Sequence, residues 1–125
     1  MKTSKTTLER RIHLIRGRRV MLDSDLAVLY GVPTKRLNQQ VRRNLGRFPD
    51  DFMFRLTQKE AAAIGDSRSQ SATLKRGQNI KYLPHAFTEH GAVMLASVLN
   101  TPVAVKASVR VVRAFLWMRQ ALAAQ

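Results

Sequence analysis

The sequence predicts an α+β fold: a small antiparallel sheet, a helix-turn-helix-like element and a long C-terminal helix. Three observations predict it. Two short apolar runs bracket the turn-forming "RGRR", "DSDLAVLYGVPTKRLNQQV" reads as two helices about a glycine, and helical sequence fills about Pro102 to Ala124.

Taken in order, residues 1–11 are mostly polar and are expected to form a flexible N-terminal segment, leaving 12–125 as a single domain. "RIHLIRGRRVML" predicts a hairpin from Ile12–Ile15 and Arg19–Leu22, with Gly17 supplying the turn. Asp23 is placed to cap a short helix that Gly31 ends, with Leu26, Ala27, Leu29 and Tyr30 inward. Thr34 is placed to cap a second helix running to about Leu45, before "GRFPDD" breaks it. Phe52–Leu56 reads as a buried strand. Thr57 and Glu60 then form a capping box for a third helix that Gly65 stops. Residues 66–79 show neither helical nor strand period and read as an exposed loop, and "IKYLP" reads as a strand ended by Pro84. Thr88 caps a helix reaching Leu99, and Thr101 with Pro102 opens the last one.

Composition narrows function. The chain carries 22 Lys plus Arg against 8 Asp plus Glu, a formal +14 over 125 residues of which 45% are hydrophobic. One core is therefore within reach, and a field of this sign draws polyanions, nucleic acid before an anionic membrane or an acidic protein. There is no cysteine, so disulfides and thiolate metal sites are excluded. No apolar run approaches the roughly 20 residues of a membrane span, and "MKTSKTTLERR" has no apolar signal core. A soluble protein of the cytoplasm, with no membrane partner, is the expectation.

The charge is unevenly placed. Ten basic residues lie between Arg10 and Arg47, where only Asp23 and Asp25 oppose them. On a wheel of about 100° per residue, Leu37, Val41 and Leu45 share one face of the second helix. Lys35, Arg36, Gln39, Arg42 and Arg43 share the other, flanked by Asn38 and Gln40. A merely solvated helix usually mixes both signs, because pairs four apart stabilise it by about 0.2–0.5 kcal/mol each. This face has no acid, and it matches a major-groove reader. Lys35, Arg36, Asn38 and Gln39 are expected nearest the bases, with Arg42 and Arg43 on the backbone and Thr34 counted with them among the DNA-binding residues. Ala27 and Gly31 have the spacing of a helix-turn-helix, although its last inward position falls on Gln40, beside Val41.

These residues carry a resemblance. "IRGRRVMLDSDLAVLYGVPTKRLNQQVRRNLGRFPDDFMFRLT", then "SRSQ" and "YLPHAFTEHGAVMLASVLN", resembles the phage-derived ORF-six N-terminal domain, a relative of the KilA-N and Bro N-terminal domains. The similarity spans about residues 12–118, and "TEHG" has His90 where the family commonly has glutamine. The resemblance implies a DNA-binding module of bacteriophages and prophages, associated with transcription regulation of the antirepressor type. It also implies a nucleoid-associated location in the bacterial or phage-infected cell. The chain ends after "WMRQALAAQ", so no appended effector domain is expected.

Two further basic groups are candidates for DNA contact. Arg16, Arg18 and Arg19 sit at the hairpin tip, and Arg68, Gln70, Lys75 and Arg76 lie in the 66–79 loop, which is either a wing on the duplex or a solvated loop. The last helix places Val105, Val109, Val112 and Leu116 at spacings of four, three and four. Such a row either docks on the core or forms the seam of a homodimer.

Catalysis is not expected. His85, Glu89 and His90 are poor joint metal ligands because adjacent helical residues diverge by about 100°. Asp50 and Asp51 raise the alternative of a magnesium-dependent nuclease, but adjacent acids do not converge on one ion. No phosphate-cradling glycine loop is present. The expectation is therefore no cofactor, no metal and no small-molecule substrate, with double-stranded DNA as partner; an adaptor that binds an acidic regulator is the alternative.

Overall fold

The computed structural model describes residues 8–68 and 82–123. Its fold is α+β, with a four-stranded sheet in the order β1-β2-β4-β3, antiparallel at every pairing. The strands are β1 His13–Ile15, β2 Arg18–Leu22, β3 Met53–Arg55 and β4 His85–Phe87. The helices are α1 Asp23–Tyr30, α2 Thr34–Arg43, α3 Gln58–Arg68, α4 Glu89–Leu99 and α5 Pro102–Ala123. Short 3-10 turns cover Glu9–Arg11 and Leu45–Arg47. The first of these packs against α5, and Leu8 just before it lies against the core.

The hairpin forms as the sequence predicts. Arg16 and Gly17 both take positive φ, 57° and 76°, the geometry that lets a two-residue turn follow the twist of its strands. Alternation along the strands then divides the core into two layers. Met21, Phe87 and Met53 line up across three strands and face α1, α2, α4 and α5, whereas Leu22, Ala86 and Phe54 face the other way, toward Ala61 and Ile64 of α3.

Between α1 and α2, Gly31 adopts φ 73°, and two bonds close the helix end: Gly31 N–H donates to Val28 O at 3.3 Å and Val32 N–H to Ala27 O at 3.0 Å. This is the turn that the Ala27–Gly31 spacing predicted. Leu26, Ala27 and Tyr30 are buried as expected, and the Tyr30 hydroxyl donates to Ala92 O, tying α1 to α4. Gly91 makes a second close approach: a Cβ there would lie 1.9 Å from Phe52 O, so α4 rests directly on the chain leading into β3.

Other caps behave as predicted. Thr57 and Glu60 exchange reciprocal bonds of 2.8 and 3.1 Å, Thr88 accepts from Gly91 N–H, and Thr101 accepts from Ala104 N–H.

Several boundaries are corrected. α2 ends at Arg43, and Leu45 falls in the following 3-10 turn, exposed rather than on the core face. α3 runs through Gly65 to Arg68, because a glycine inside an alanine-rich helix costs only about 1 kcal/mol. The start of the expected 66–79 loop is therefore helical. Tyr82–Pro84 is not a strand; β4 begins after Pro84, which has no N–H for a ladder and instead accepts at its carbonyl from Leu56 N–H. Neither Asp23 nor Thr34 is a cap. Each is the first residue of its helix, behind Leu22 and Pro33.

Candidate nucleic-acid interface

α2 is held by its apolar side. Leu37 and Val41 are buried in the core shared with α1 and α4, and Gln40 is half-buried beside them. Lys35, Arg36, Gln39, Arg42 and Arg43 are all exposed, and among the described residues none of these four cations forms an ion pair. Thr34 is half-buried at the start of the helix.

Asn38 does not share that outward face. It is 7% exposed, and its Nδ2 donates to Asp23 Oδ2 at 3.1 Å, Tyr82 Oη at 3.0 Å and Thr34 O at 3.2 Å. The expected base contact is corrected to an internal anchor. The cause is tertiary: Asp23 lies at the β2–α1 junction beneath α2, and a buried carboxylate needs donors.

Asp23 is the hub of this knot. Its Oδ1 accepts from Ser24 N–H, and its Oδ2 accepts from Asn38, from the Tyr82 hydroxyl and from His85 N–H at 3.2 Å; His85 Nδ1 lies 3.7 Å from the same oxygen. Burial would push the Asp23 carboxyl up, but the bonds from His85, Tyr82 and Asn38 outweigh it and hold the group below its ordinary range. Tyr82 is pushed above the ordinary phenol range by burial first and by the Asp23 carboxylate second.

Two hollows open on either side of the knot. One, of about 420 Å3, is lined by Ser24, Thr34, Lys35, Asn38, Arg42 and Tyr82. The other, of about 520 Å3, includes Arg16, Arg18, Phe54, Arg55 and His85 in its lining. Asp23 bonds to Asn38 and Tyr82 of the first and to His85 of the second, so one buried carboxylate ties together residues that line both hollows. Asp50 also lines the second hollow and lowers its positive charge.

The hairpin-tip arginines do not act together. Arg16 donates to both carboxylate oxygens of Glu60 and to Arg55 O, and its guanidinium lies 4.3 Å above the Phe54 ring. Glu60 is thereby held down at about 2, first by the bond from Arg16 and then by the Thr57 N–H. The pair fastens the tip to α3, so Arg16, unlike the cations of α2, already has an acidic partner among the described residues. Arg18 donates to Asp50 O. Arg19 is half-buried and, by strand alternation, leaves the hairpin on the opposite face from Arg18.

The remaining candidates are scattered. The side chain of Arg68, at the end of α3, and all of Gln70, Lys75 and Arg76 lie outside the described residues. Asp50 and Asp51 are exposed, and their carbonyls accept from Arg18 and Thr88. His90 stacks on Phe52 at 5.8 Å while His85 faces Asp23, and no group of three His, Asp or Glu side chains among the described residues is placed to hold a metal.

Sequence reasoning missed Asp23, Tyr82 and His85 as the support of the site, and Arg55 as part of its rim. Only Asp23 left a trace, as an acid at a strand-to-helix junction inside a basic stretch. No helix among the described residues is long and apolar enough to cross a membrane. No curated protein and no solved structure matches the chain significantly. The ORF6N domain model matches residues 10–98, which include the hairpin, both helices of the glycine turn, the Asp23 knot and nearly all of α4; the chain belongs to the ORF6N domain family.

Proposed function

We infer that this chain is a phage-type regulatory domain that binds double-stranded DNA through α2. The observation that carries this reading is the exposed row Lys35, Arg36, Gln39, Arg42 and Arg43, unneutralised among the described residues, on a helix anchored from behind by Leu37, Val41 and Asn38. At about 1.5 Å per residue, ten residues of α2 extend about 15 Å, enough to lie in a major groove about 12 Å wide. Lys35, Arg36 and Gln39 then meet base edges, and Arg42 and Arg43 neutralise phosphates. Arg18 and Arg55, which line the hollow that includes His85, are further cations available to the duplex. Membership of the ORF6N family supports the phage-type role, and a transcriptional or antirepressor-type regulator on the nucleoid, working without catalysis or a metal, is the activity that fits it.

The double variant Arg42→Ala, Arg43→Ala tests this. Each phosphate contact contributes a slope of about −0.9 to the log–log dependence of affinity on salt, so the double variant flattens that slope by about 2 and weakens binding to every duplex. Fluorescence anisotropy with random-sequence duplex across a salt series is the measurement. Unchanged affinity and an unchanged slope would remove α2 as the DNA contact.

A further inference from the structure

α5 has two long faces of different use. Ala104, Ala107, Val111, Ala114, Phe115 and Met118 are buried, in a helix packed on α1 and α4. At about 100° per residue, Val105, Val109, Val112 and Leu116 fall on a stripe about 140° from the centre of that buried face. Val105, Val109 and Leu116 are 52%, 47% and 40% exposed, and Val112 is half-buried. The row spaced four, three and four is therefore not spent on the chain's own core. Single exposed valines are ordinary, but a continuous row with the spacing of a paired-helix seam is a docking surface.

Charge selects the occupant. Lys106 and Arg113 run along one edge of the stripe and Arg119 along the other, and α5 contains no acidic residue. Arg119 is paired with Glu89 of α4, whereas Lys106 and Arg113 form no ion pair among the described residues. A second copy laid on this seam brings cations against cations along its flanks, and each copy carries a formal +14. In paired helices the flanking charges choose the partner. We propose that the α5 stripe docks an amphipathic helix of a different protein, apolar along its seam and acidic on its flanks. The site uses no residue of α2 and does not depend on the DNA reading.

The test selects binders from a displayed library of helices about three heptads long. Their seams are Leu or Ile, and their flanking positions are drawn from Glu, Gln and Lys. The full chain is the target, with excess duplex DNA present to occupy α2. Enrichment of Glu on the flanks is expected. A synthetic peptide of the enriched sequence then loses at least about tenfold in affinity for the Val109→Lys chain and for the Arg113→Glu chain. Both variants keep the thermal midpoint of the parent, and the Arg42→Ala, Arg43→Ala chain keeps its peptide affinity. Selection without acidic flanks, no enrichment, or affinity indifferent to Val109→Lys overturns the proposal. So does a chain that sediments as a dimer and becomes monomeric with Val109→Lys, which makes a second copy the occupant.

Discussion

Asn38 and Gln39 are neighbours on one helix, and replacing each by alanine separates support from contact. Asn38→Ala removes an amide NH2 whose two hydrogens are shared among Asp23 Oδ2, Tyr82 Oη and Thr34 O. A bond to a charged acceptor contributes about 1.5–3 kcal/mol and one between neutral groups about 0.5–1.5 kcal/mol. Thr34 O remains at the helix start and the Tyr82 hydroxyl keeps Asp23, so the Asp23 bond dominates the loss. Against it, Asn38 Oδ1 is buried with no hydrogen-bond partner, and removing it returns about 1 kcal/mol. The balance is about 2 kcal/mol of destabilisation. An unfolding entropy of about 2.1 cal/mol/K per residue gives about 0.26 kcal/mol/K over 125 residues, so the midpoint falls by about 8 °C. Thermal melting followed by circular dichroism measures this, and a binding selection on random duplex, run well below the midpoint, measures base preference. Gln39→Ala has the opposite profile, with its midpoint within about 1 °C of the parent and its base preference changed. An Asn38→Ala chain that melts with the parent and prefers different bases would refute the assignment of Asn38 to the Asp23 knot.

Two other substitutions and a pH series probe the scaffold. Gly91→Ala places a methyl group against Phe52 O and destabilises by about 3 kcal/mol, the upper end of ordinary overpacking, whereas Gly46→Ala, with nothing within 4 Å, stays within about 0.5 kcal/mol. Urea midpoints of the two variants check the difference. Asp23 is held below its ordinary range and Glu60 at about 2, so both carboxylates take up protons less readily folded than unfolded. Their stabilisation is fully present above the ordinary carboxylate range near pH 4 and is lost as pH falls toward about 2. The urea midpoint therefore declines over that window, Asp23→Ala reduces the decline, and a midpoint that rises on acidification contradicts the Asp23 hub. Solvent screening reduces what the Glu60 shift contributes, because its pair with Arg16 is half-exposed.

Much of the fold was legible because it rests on local chemistry. The two-residue turn at Arg16–Gly17, the αL glycine at Gly31, the Thr57–Glu60 capping box and the Thr88 and Thr101 caps are each decided within a few residues of chain. Where a local signal competes with packing it misleads. Gly65 reads as a stop, yet the helix continues past it, and Tyr82–Pro84, the described part of the expected strand "IKYLP", stays outside the sheet, which takes His85–Phe87.

The exposed face of α2 follows from the sequence alone: Leu37 and Val41 define the buried side, and helical geometry places Lys35, Arg36, Gln39, Arg42 and Arg43 opposite. A helical wheel leaves flanking positions undecided, because a polar residue at the boundary faces water unless a buried partner claims it. Tertiary structure decided Asn38 inward by setting the Asp23 carboxylate beneath it, 15 positions away in sequence. It decided Arg16 the same way, through Glu60, 44 positions away. It also turned Val105, Val109, Val112 and Leu116 outward by giving the core to the alanine-rich face of α5, which allows closer approach to α1 and α4. Charge and periodicity are written along the chain; which charges remain unneutralised and which apolar rows remain uncovered depends on distant partners that only folding brings together.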